Sequence, residues 1–382
     1  MKGYNDLMSY IWENSQWPNF IYDSKAVSET LASLYQEKQQ CDIAYSLIDT
    51  QTRNLLATKS LTEDLVSSLS IEGESIDVDS VYSSVSKHLN ITFTGKSKDS
   101  AYAQSIFSMV EDALENHSPL THQRLFDWHV KLFENKAGIK PKNIGMYRVG
   151  PEYVMKVAGK TSQIIYEAVR AQNVTEEMDT LLDYVNNSKE DCFLKAAVAS
   201  LWFVIIHPFE DGNGRISRAL ADYIISNDAG EAFHAFNLST GILKDRQDYY
   251  NQIQLASANN PRMDITEWVV WFLKLVAKCI EQARLELKRT LNTTAFMKSL
   301  DPSEFNSREM SMLYRLADGS FFGKLTTEKW MKMTKCSNTV AFRDIQHLVQ
   351  KGFLIPTGET GRNTGYYFND AVNSAKPDEN HS

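Results

Sequence analysis

The most apolar segment of the chain, residues 193–206, runs directly into the polar segment HPFEDGNGRISR, residues 207–218. The apolar segment is too short to span a bilayer, which takes roughly 20 apolar residues, and it therefore predicts a buried helix. Pro208 lacks the backbone N–H that would extend this helix, so the helix ends near His207. A second helical pattern begins near Arg215. Any fold must place this polar turn between two core helices.

The composition of the turn suits an anion. Gly212 and Gly214 allow backbone conformations that other residues avoid, so that successive N–H groups can converge on one point. Helix N-termini bind phosphate through the same free N–H groups and through the helix dipole. Arg215 and Arg218 lie three positions apart on one face of the second helix, where both can reach phosphate oxygens. The segment predicts a phosphate site.

Two other side chains of the turn suit the chemistry of a bound polyphosphate. Asp211 fits a magnesium ion that bridges two phosphates. His207, whose ordinary pKa is near neutrality, is a candidate general base. A histidine at a helix end or an arginine at a helix start is usually structural. A base, a metal ligand, an anion nest and two arginines within one short segment favour a functional site.

Composition limits the class of protein. The chain has 382 residues, 43% hydrophobic and 23% charged, which is enough apolar material for two or three packed units. A net charge of −8 argues against wholesale coating of nucleic acid. Four dispersed cysteines suit a reducing compartment, and the N-terminus does not resemble a signal peptide. We expect a cytoplasmic protein with no membrane association.

Hydrophobic periodicity predicts a mainly α-helical chain. A glycine-punctuated stretch near residues 145–169 has the β-branched and aromatic pattern of a hairpin. The polar residues 76–98 predict a linker or short irregular structure. Helices are expected at 25–72, 100–137, 174–226 and 245–290.

The last eighty residues predict a separate unit. Three helical patterns precede two short strands around a glycine-containing turn, which is the order of a winged helix. Residues 321–351 carry six lysine or arginine side chains against two acidic ones. This is the one locally cationic region, so DNA binding through the winged helix is an open alternative.

The segment HPFEDGNGRISR resembles the motif HxFx[D/E]GNGRxxR of the Fic (filamentation induced by cAMP) family, with every specified position filled. The flanking sequences IIYEAVRAQNV and RQDYYNQI are also similar to family segments. The resemblance implies a Fic-type helical bundle core with a small β-hairpin flap. Together with the predicted C-terminal winged helix, the resemblance implies three domains. These are an N-terminal helical extension with an inhibitory helix at residues 1–95, a Fic catalytic domain at 96–295 and a winged-helix domain at 300–370.

The resemblance also implies an activity, the transfer of AMP from ATP, with Mg²⁺, to a Tyr, Thr or Ser hydroxyl of a target protein, which can be the enzyme itself. His207 would deprotonate that hydroxyl, Asp211 would hold the magnesium, and Asn213 would help to orient the α-phosphate. The two arginines would take the β- and γ-phosphates. The implied ATP-binding residues are Asp211, Gly212, Asn213, Gly214, Arg215, Ile216, Ser217, Arg218, Tyr249 and Tyr250.

The family's flap is the hairpin whose edge pairs with the backbone of the target protein. Ile164, Ile165 and Tyr166 are the flap candidates here. Tyr249 and Tyr250 would border the adenine, although both could equally be core aromatics.

A second motif lies before the predicted catalytic domain. Residues 68–73, SLSIEG, match the family's inhibitory pattern [S/T]xxxE[G/N] at Ser68, Glu72 and Gly73. Glu72 falls in the last turn of a predicted helix, where the helix dipole disfavours a carboxylate, so it should pair with a cation. The resemblance implies that this cation is Arg218, which would then be unable to bind the γ-phosphate.

Three functions from different classes follow. The first is an autoinhibited AMP transferase. The second uses the same site for another reaction, either as a hydrolase that removes AMP, with Glu72 activating water, or as a phosphotransferase. The third is a transcription regulator whose winged helix binds DNA and whose core senses a nucleotide. An intact His207 and Asp211 favour the first over the third, and a homodimer is compatible with all of them.

Overall fold

The computed structural model describes residues 10–89, 100–158, 161–229, 237–258, 260–318, 321, 324–358 and 364–369, with only the backbone for 154–158, 161–165 and 229. The chain divides into two compact units, residues 1–283 and 284–382. Helices dominate the described residues, as predicted. None of those helices combines the length and the apolar character needed to cross a bilayer.

The helices of the first unit begin before residue 284, and the last of them continues into the second unit. Their bounds are α1 (Ser24–Ser46), α2 (Thr50–Ile71), α3 (Val78–His88), α4 (Ala101–Glu115), α5 (His122–Phe133), α6 (Val174–Asn187), α7 (Cys192–Ile206), α8 (Asn213–Ala229), α9 (Leu238–Lys244), α10 (Arg246–Ser257) and α11 (Thr266–Ser299). Aspartates cap several N-termini. The Asp191 carboxylate, for example, accepts hydrogen bonds from the first N–H groups of α7.

Helix α7 is the centre of the first unit. It is apolar on all sides and almost every side chain is buried, which is the pattern of a helix surrounded by other elements. It packs against α8 and α6, and the Trp268 indole of α11 donates a hydrogen bond to the carbonyl of Ala197. The turn that follows α7 is therefore held by a rigid core element.

Helix α3 corrects the predicted linker at residues 76–98. Asp77 caps it, and Val81 and Val85, one helical turn apart, are fully buried against α2 and α4. Serines are the most frequent residues of this helix, so its short apolar stripe produces no clear periodic pattern in the sequence. Residues 90–99, which contain the predicted domain boundary at 95, lie outside the described residues.

The predicted hairpin consists of β1 (Tyr153–Ala158) and β2 (Thr161–Glu167), which pair antiparallel. Tyr153 lies opposite Glu167 and Ala158 opposite Thr161, with a register irregularity after Val154. Both ends of the hairpin return to the C-terminal end of α7, where the polar turn begins.

In the second unit, three helices are followed by two antiparallel strands. Their bounds are α12 (Ser307–Ala317), α13 (Thr327–Thr334), α14 (Asn338–Gln350), β3 (Leu354–Pro356) and β4 (Tyr366–Phe368). The core includes fully buried Trp330 and Leu313. An isolated bridge joins Leu325 to Tyr366. The order of elements is the predicted one, and the winged-helix assignment itself stays a prediction.

Candidate active site

The turn between α7 and α8 is held by its own backbone and by one buried amide. His207 has a left-handed backbone conformation (φ 53°, ψ 60°) that turns the chain out of α7. Phe209 is fully buried. The side chain of Asn213 accepts a hydrogen bond from the Phe209 N–H (2.9 Å) and donates one to the Phe209 carbonyl (2.8 Å). In this structure the Asn213 side chain therefore holds the loop.

His207 has its lone pair on Nε2. Its Nδ1 lies 3.3 Å from the carbonyl oxygen of Val204, and because a carbonyl only accepts, Nδ1 carries the hydrogen. Burial lowers the pKa of His207 to about 4, since the charged ring would lose its hydration. The ring is therefore neutral at pH 7, the state that a general base requires.

Glu72 lies against the N-terminus of α8, where the sequence predicts an anion cradle. The first N–H groups of any helix lack partners within that helix, and Gly212 has a φ of +85°, which favours glycine. A Cβ atom at Gly214 would overlap the Glu72 carboxylate. Glu72 follows directly after α2 as its C-cap residue. The carboxylate is thus placed at the positive end of α8, which stabilises it.

Arg218 is held by α2 through all three of its nitrogens. Nη1 donates to Glu72 Oε1 (2.9 Å), Nε donates to the Ser68 hydroxyl (3.0 Å) and Nη2 donates to the Ser68 carbonyl (2.8 Å). The Arg218 side chain is 3% exposed and that of Glu72 is 27% exposed. Gly73 has a φ of +78° and lies just after the helix end. Glu72 and Arg218 thus form an ion pair in the structure, and the inhibitory role of this pair stays a prediction.

Arg215 is held by a second set of acids. Its Nη1 donates to Glu74 Oε1 (2.6 Å) and its Nη2 to Asp211 Oδ1 (3.0 Å). Lys136 Nζ lies 2.6 Å from the same Glu74 oxygen. Asp211 Oδ1 also accepts the N–H of Gly212 (2.6 Å), and the Asp211 side chain is 51% exposed. The two motif arginines, expected to act together, therefore contact different carboxylates.

The side chains of Ile216 and Ser217 face the core. Ile216 is fully buried, and the Ser217 hydroxyl donates to the carbonyl of Ser200 in α7 (2.9 Å). Both residues are among the ATP contacts that the family resemblance implies. Ser217 lies on the α7 side of α8, and both side chains are instead buried in the core.

Tyr249 and Tyr250 have different surroundings. Tyr249 is 4% exposed and packs against Trp268 and Trp271 at centroid distances of 6.1 and 5.9 Å, as a core aromatic does. Tyr250 is 38% exposed and its hydroxyl lies 3.5 Å from Glu72 Oε2. Tyr250 is thus the more exposed of the two tyrosines, and its hydroxyl borders the Glu72 carboxylate.

Tyr166 lies at the base of the hairpin. It is 7% exposed, and its hydroxyl donates to the carbonyl of Ile205 at the end of α7 (2.7 Å). Burial raises its pKa well above the ordinary value. Tyr166 therefore anchors the flap and does not present its ring on the flap surface. The side chains of Ile164 and Ile165 lie outside the described residues, although the Ile164 backbone pairs with Met155.

His129 supports the turn and was not found from the sequence. Its ring stacks on Phe209 at 4.2 Å between centroids. Its Nδ1 accepts the N–H of Gly145 (3.0 Å) and its Nε2 donates to the carbonyl of Asp211 (3.1 Å). Burial lowers its pKa to about 4. Since its partners are a ring and two backbone groups, no motif spacing indicated it; Arg148, which binds backbone carbonyls, was missed for a similar reason. Glu74 was missed because it lies one residue beyond the motif 68–73.

Together, the fold and the site define a helical protein in which an anion-binding helix N-terminus adjoins a neutral histidine. Residues 119–225 match the model of the Fic/DOC family, and residues 10–91 match a domain of unknown function, DUF4172. The chain carries a Fic/DOC family domain, which contains the hairpin and the segment 207–218.

Comparison with known proteins agrees with this fold. Protein adenylyltransferase fic-1 of Caenorhabditis briggsae and that of Caenorhabditis elegans are each 24% identical over 151 residues. These matches cover 39% of this chain and only 26% of either relative. A Fic family protein from Desulfovibrio desulfuricans G20 superposes with a TM-score of 0.55 at 18% identity, covering 91% of this chain and 97% of that one. Fic-1 (residues 134–508) from C. elegans has a TM-score of 0.50 at 18% identity and covers 70% and 74%.

Proposed function

We propose that this protein is an autoinhibited adenylyltransferase that transfers AMP from ATP to a Tyr, Thr or Ser hydroxyl of a target protein, itself included. The observation that supports this proposal most directly is the position of Glu72. Its carboxylate lies on Arg218 and against the N-terminus of α8, in a domain that also holds a neutral His207. An internal anion thus occupies an anion site next to a candidate base. The adenylyltransferase relatives support the same reaction class.

In the proposed reaction, His207 Nε2 takes the proton of the target hydroxyl. The hydroxyl oxygen forms a bond to the α-phosphorus, the bond between that phosphorus and the bridging oxygen breaks, and pyrophosphate leaves with the electron pair. Such in-line transfer requires positioning and charge stabilisation more than covalent chemistry. The left-handed conformation of His207 brings the base to the mouth of the turn.

The N–H groups at the start of α8 would bind phosphate oxygens, and Arg218 would bind the γ-phosphate once Glu72 leaves it. The residues present fit a magnesium ion: Asp211 offers a half-exposed carboxylate at the turn, and magnesium in such sites takes one or two carboxylates plus phosphates and water. When bound, the ion would neutralise phosphate charge. Asp211 is the residue that would hold it.

Autoinhibition follows from competition between two anions for one arginine. Every nitrogen of Arg218 already has a partner on α2, so a γ-phosphate must displace the Glu72 carboxylate to reach it. Until then ATP lacks its γ-phosphate contact, and the α-phosphate is not presented to His207. Movement of the C-terminal end of α2 would activate the enzyme.

The test is transfer of label from α-labelled ATP by the wild type, Glu72→Gly and Glu72→Gly with His207→Ala. We expect Glu72→Gly to label itself or a lysate protein, and loss of the base to lower this rate by at least ~10²-fold. No transfer by Glu72→Gly would refute the proposal. If Glu72→Gly instead loses an ability to remove AMP from a modified protein, the hydrolase alternative replaces it.

The DNA-binding alternative has a separate measurement. A duplex mixed with the protein at low salt should be retarded in a gel, and the affinity should fall steeply as salt rises, because phosphate contacts release counterions. Absence of any retardation at low salt would remove this alternative. Neither outcome bears on AMP transfer, since that reaction is assigned to the first unit.

A further inference from the structure

Arg148 is a buried cation whose hydrogen bonds go to backbone carbonyls. It lies in the segment before β1 and is 3% exposed. Nε donates to the carbonyl of His207 (2.7 Å), and Nη2 donates to those of Ile206 (3.2 Å) and Val169. Nη1 donates to the carbonyl of Gly150 (2.8 Å). Among the described residues its guanidinium has four carbonyl partners and no ion pair.

These carbonyls belong to two structural elements. Those of Ile206 and His207 end α7, where the last carbonyls have no partner within the helix and the dipole favours a cation. Those of Gly150 and Val169 precede β1 and follow β2, at the two ends of the hairpin. One guanidinium therefore joins the last residue of α7, the proposed base and both ends of the flap.

The backbone N–H of Arg148 adds a further bond, to the carbonyl of Pro208 (2.9 Å). The three consecutive carbonyls from Ile206 to Pro208 are thus all bound by this residue. This matters because His207 has a φ of 53°, and a non-glycine residue in the left-handed region carries backbone strain that persists only where its surroundings hold it.

A lysine could not replace this arrangement. Its single ammonium is a point charge, whereas guanidinium presents five N–H donors in a fixed plane and can serve several acceptors in different directions. A lysine would keep the positive charge at this site, but it would lose the link between the end of α7 and the hairpin. This difference separates geometry from electrostatics in an experiment.

We propose that Arg148 is a positioning residue, which fixes the backbone of His207 and ties the flap to the catalytic turn. A target segment paired with the flap then presents its hydroxyl to a base whose place is set by the same guanidinium. The kinetic part of this inference rests on the proposed AMP transfer. The structural part does not depend on it.

The experiment places Arg148→Lys and Arg148→Gln in the Glu72→Gly protein, with Arg170→Gln as the matched control, because Arg170 is an exposed cation just beyond the hairpin. We expect both Arg148 variants to lower kcat for labelling by ~10²-fold, the scale of a small misplacement of reacting groups. The Kd of ATP with magnesium, measured by calorimetry, should stay within ~3-fold. A merely structural role would weaken ATP binding and kcat together.

Hydrogen–deuterium exchange supplies a readout that needs no activity. In both Arg148 variants, peptides covering residues 203–209 and 166–169 should exchange at least ~10-fold faster, and the control should not change. If the Glu72→Gly parent transfers no AMP, the proposed function fails and exchange alone decides about Arg148. Unchanged exchange, a kcat within ~3-fold of the parent for Arg148→Lys, or failure of both variants to fold would each overturn the positioning role.

Discussion

Glu74 Oε1 accepts a hydrogen bond from Arg215 Nη1 at 2.6 Å, only two residues after the carboxylate that holds Arg218. Both arginines of the motif are therefore bound from the same end of α2, each by its own acid. Lys136 shares the Glu74 oxygen, and the Tyr102 hydroxyl donates to the other (3.0 Å). A displacement of this end of α2 would break both of these contacts together.

We therefore expect Glu74→Gln to activate AMP transfer, but by less than Glu72→Gly does, because Arg218 stays bound in the first variant. Combining the two should raise the rate above that of Glu72→Gly, since neither arginine is then held by an acid from the end of α2. Labelling rates and ATP affinity of both single variants and the double measure this. Glu63→Gln, which changes an exposed acid within α2, is the control. A drop in ATP affinity on Glu74→Gln would mean that Glu74 positions Arg215 for phosphate.

The contact between Glu72 and Arg218 predicts a specific pattern of rates. Removing one partner of a partly buried ion pair can change the free energy of the state that contains the pair by a few kcal/mol. A difference of about 1.4 kcal/mol corresponds to a tenfold change in rate. We expect Glu72→Gly to increase self-labelling by ~10-fold or more. Adding Arg218→Ala should abolish that gain, because the γ-phosphate loses its partner. A double variant as active as Glu72→Gly would show that Arg218 has no role in binding ATP productively.

The sequence was most informative where function needs adjacent residues. The turn 207–218 concentrates a base, an acid, glycines and arginines in one segment, and helix geometry alone places them at a helix start. The pairing of Glu72 with Arg218 joins distant positions and could be predicted only through a second motif. Both predictions depend on side-chain types, which a sequence displays directly.

Arg148 and His129 could not be predicted in this way, because their partners are mainly backbone carbonyls and N–H groups, which every residue possesses. Only the three-dimensional path of the chain decides which of these groups an arginine or a histidine meets. Helix α3 escaped detection for a related reason: Val81 and Val85 are too few to form a periodic pattern among serines.

Asn213→Ala should destabilise the protein. The substitution leaves the N–H and the carbonyl of buried Phe209 without their partner, at about 1–3 kcal/mol for each unsatisfied group. For the two groups together, the free energy of unfolding from urea titrations should fall by about 2–6 kcal/mol, and Asn187→Ala on the exposed end of α6 should change it by less than about 0.5 kcal/mol. A loss of transfer with unchanged stability would instead place Asn213 in direct contact with the nucleotide.

His129 should make the protein less stable in mild acid. Its pKa is about 4 in the folded protein against an ordinary 6.5, so between these pH values the unfolded chain binds the extra proton. The stabilisation that neutral His129 contributes is fully present above pH 6.5 and is lost as the pH falls toward 4. Since each pKa unit corresponds to about 1.4 kcal/mol, the total is on the order of 3 kcal/mol. The main cause is burial, which would strip the charged ring of its hydration. A proton on Nδ1 would also face the Gly145 N–H, from which this nitrogen accepts a hydrogen bond.

Urea unfolding of the wild type and His129→Gln at pH 7.5 and pH 5 measures this contribution. His207, whose pKa is also about 4, acts in the same direction, so the variant should keep part of the pH dependence. The quantity to compare between the wild type and His129→Gln is therefore the change in the free energy of unfolding from one pH to the other, not the free energy at either pH. The wild type should lose more stability between the two pH values than His129→Gln, by about 1 kcal/mol or more. Equal losses would mean that His129 titrates normally in the folded protein, so that burial and the Gly145 N–H do not keep its ring neutral.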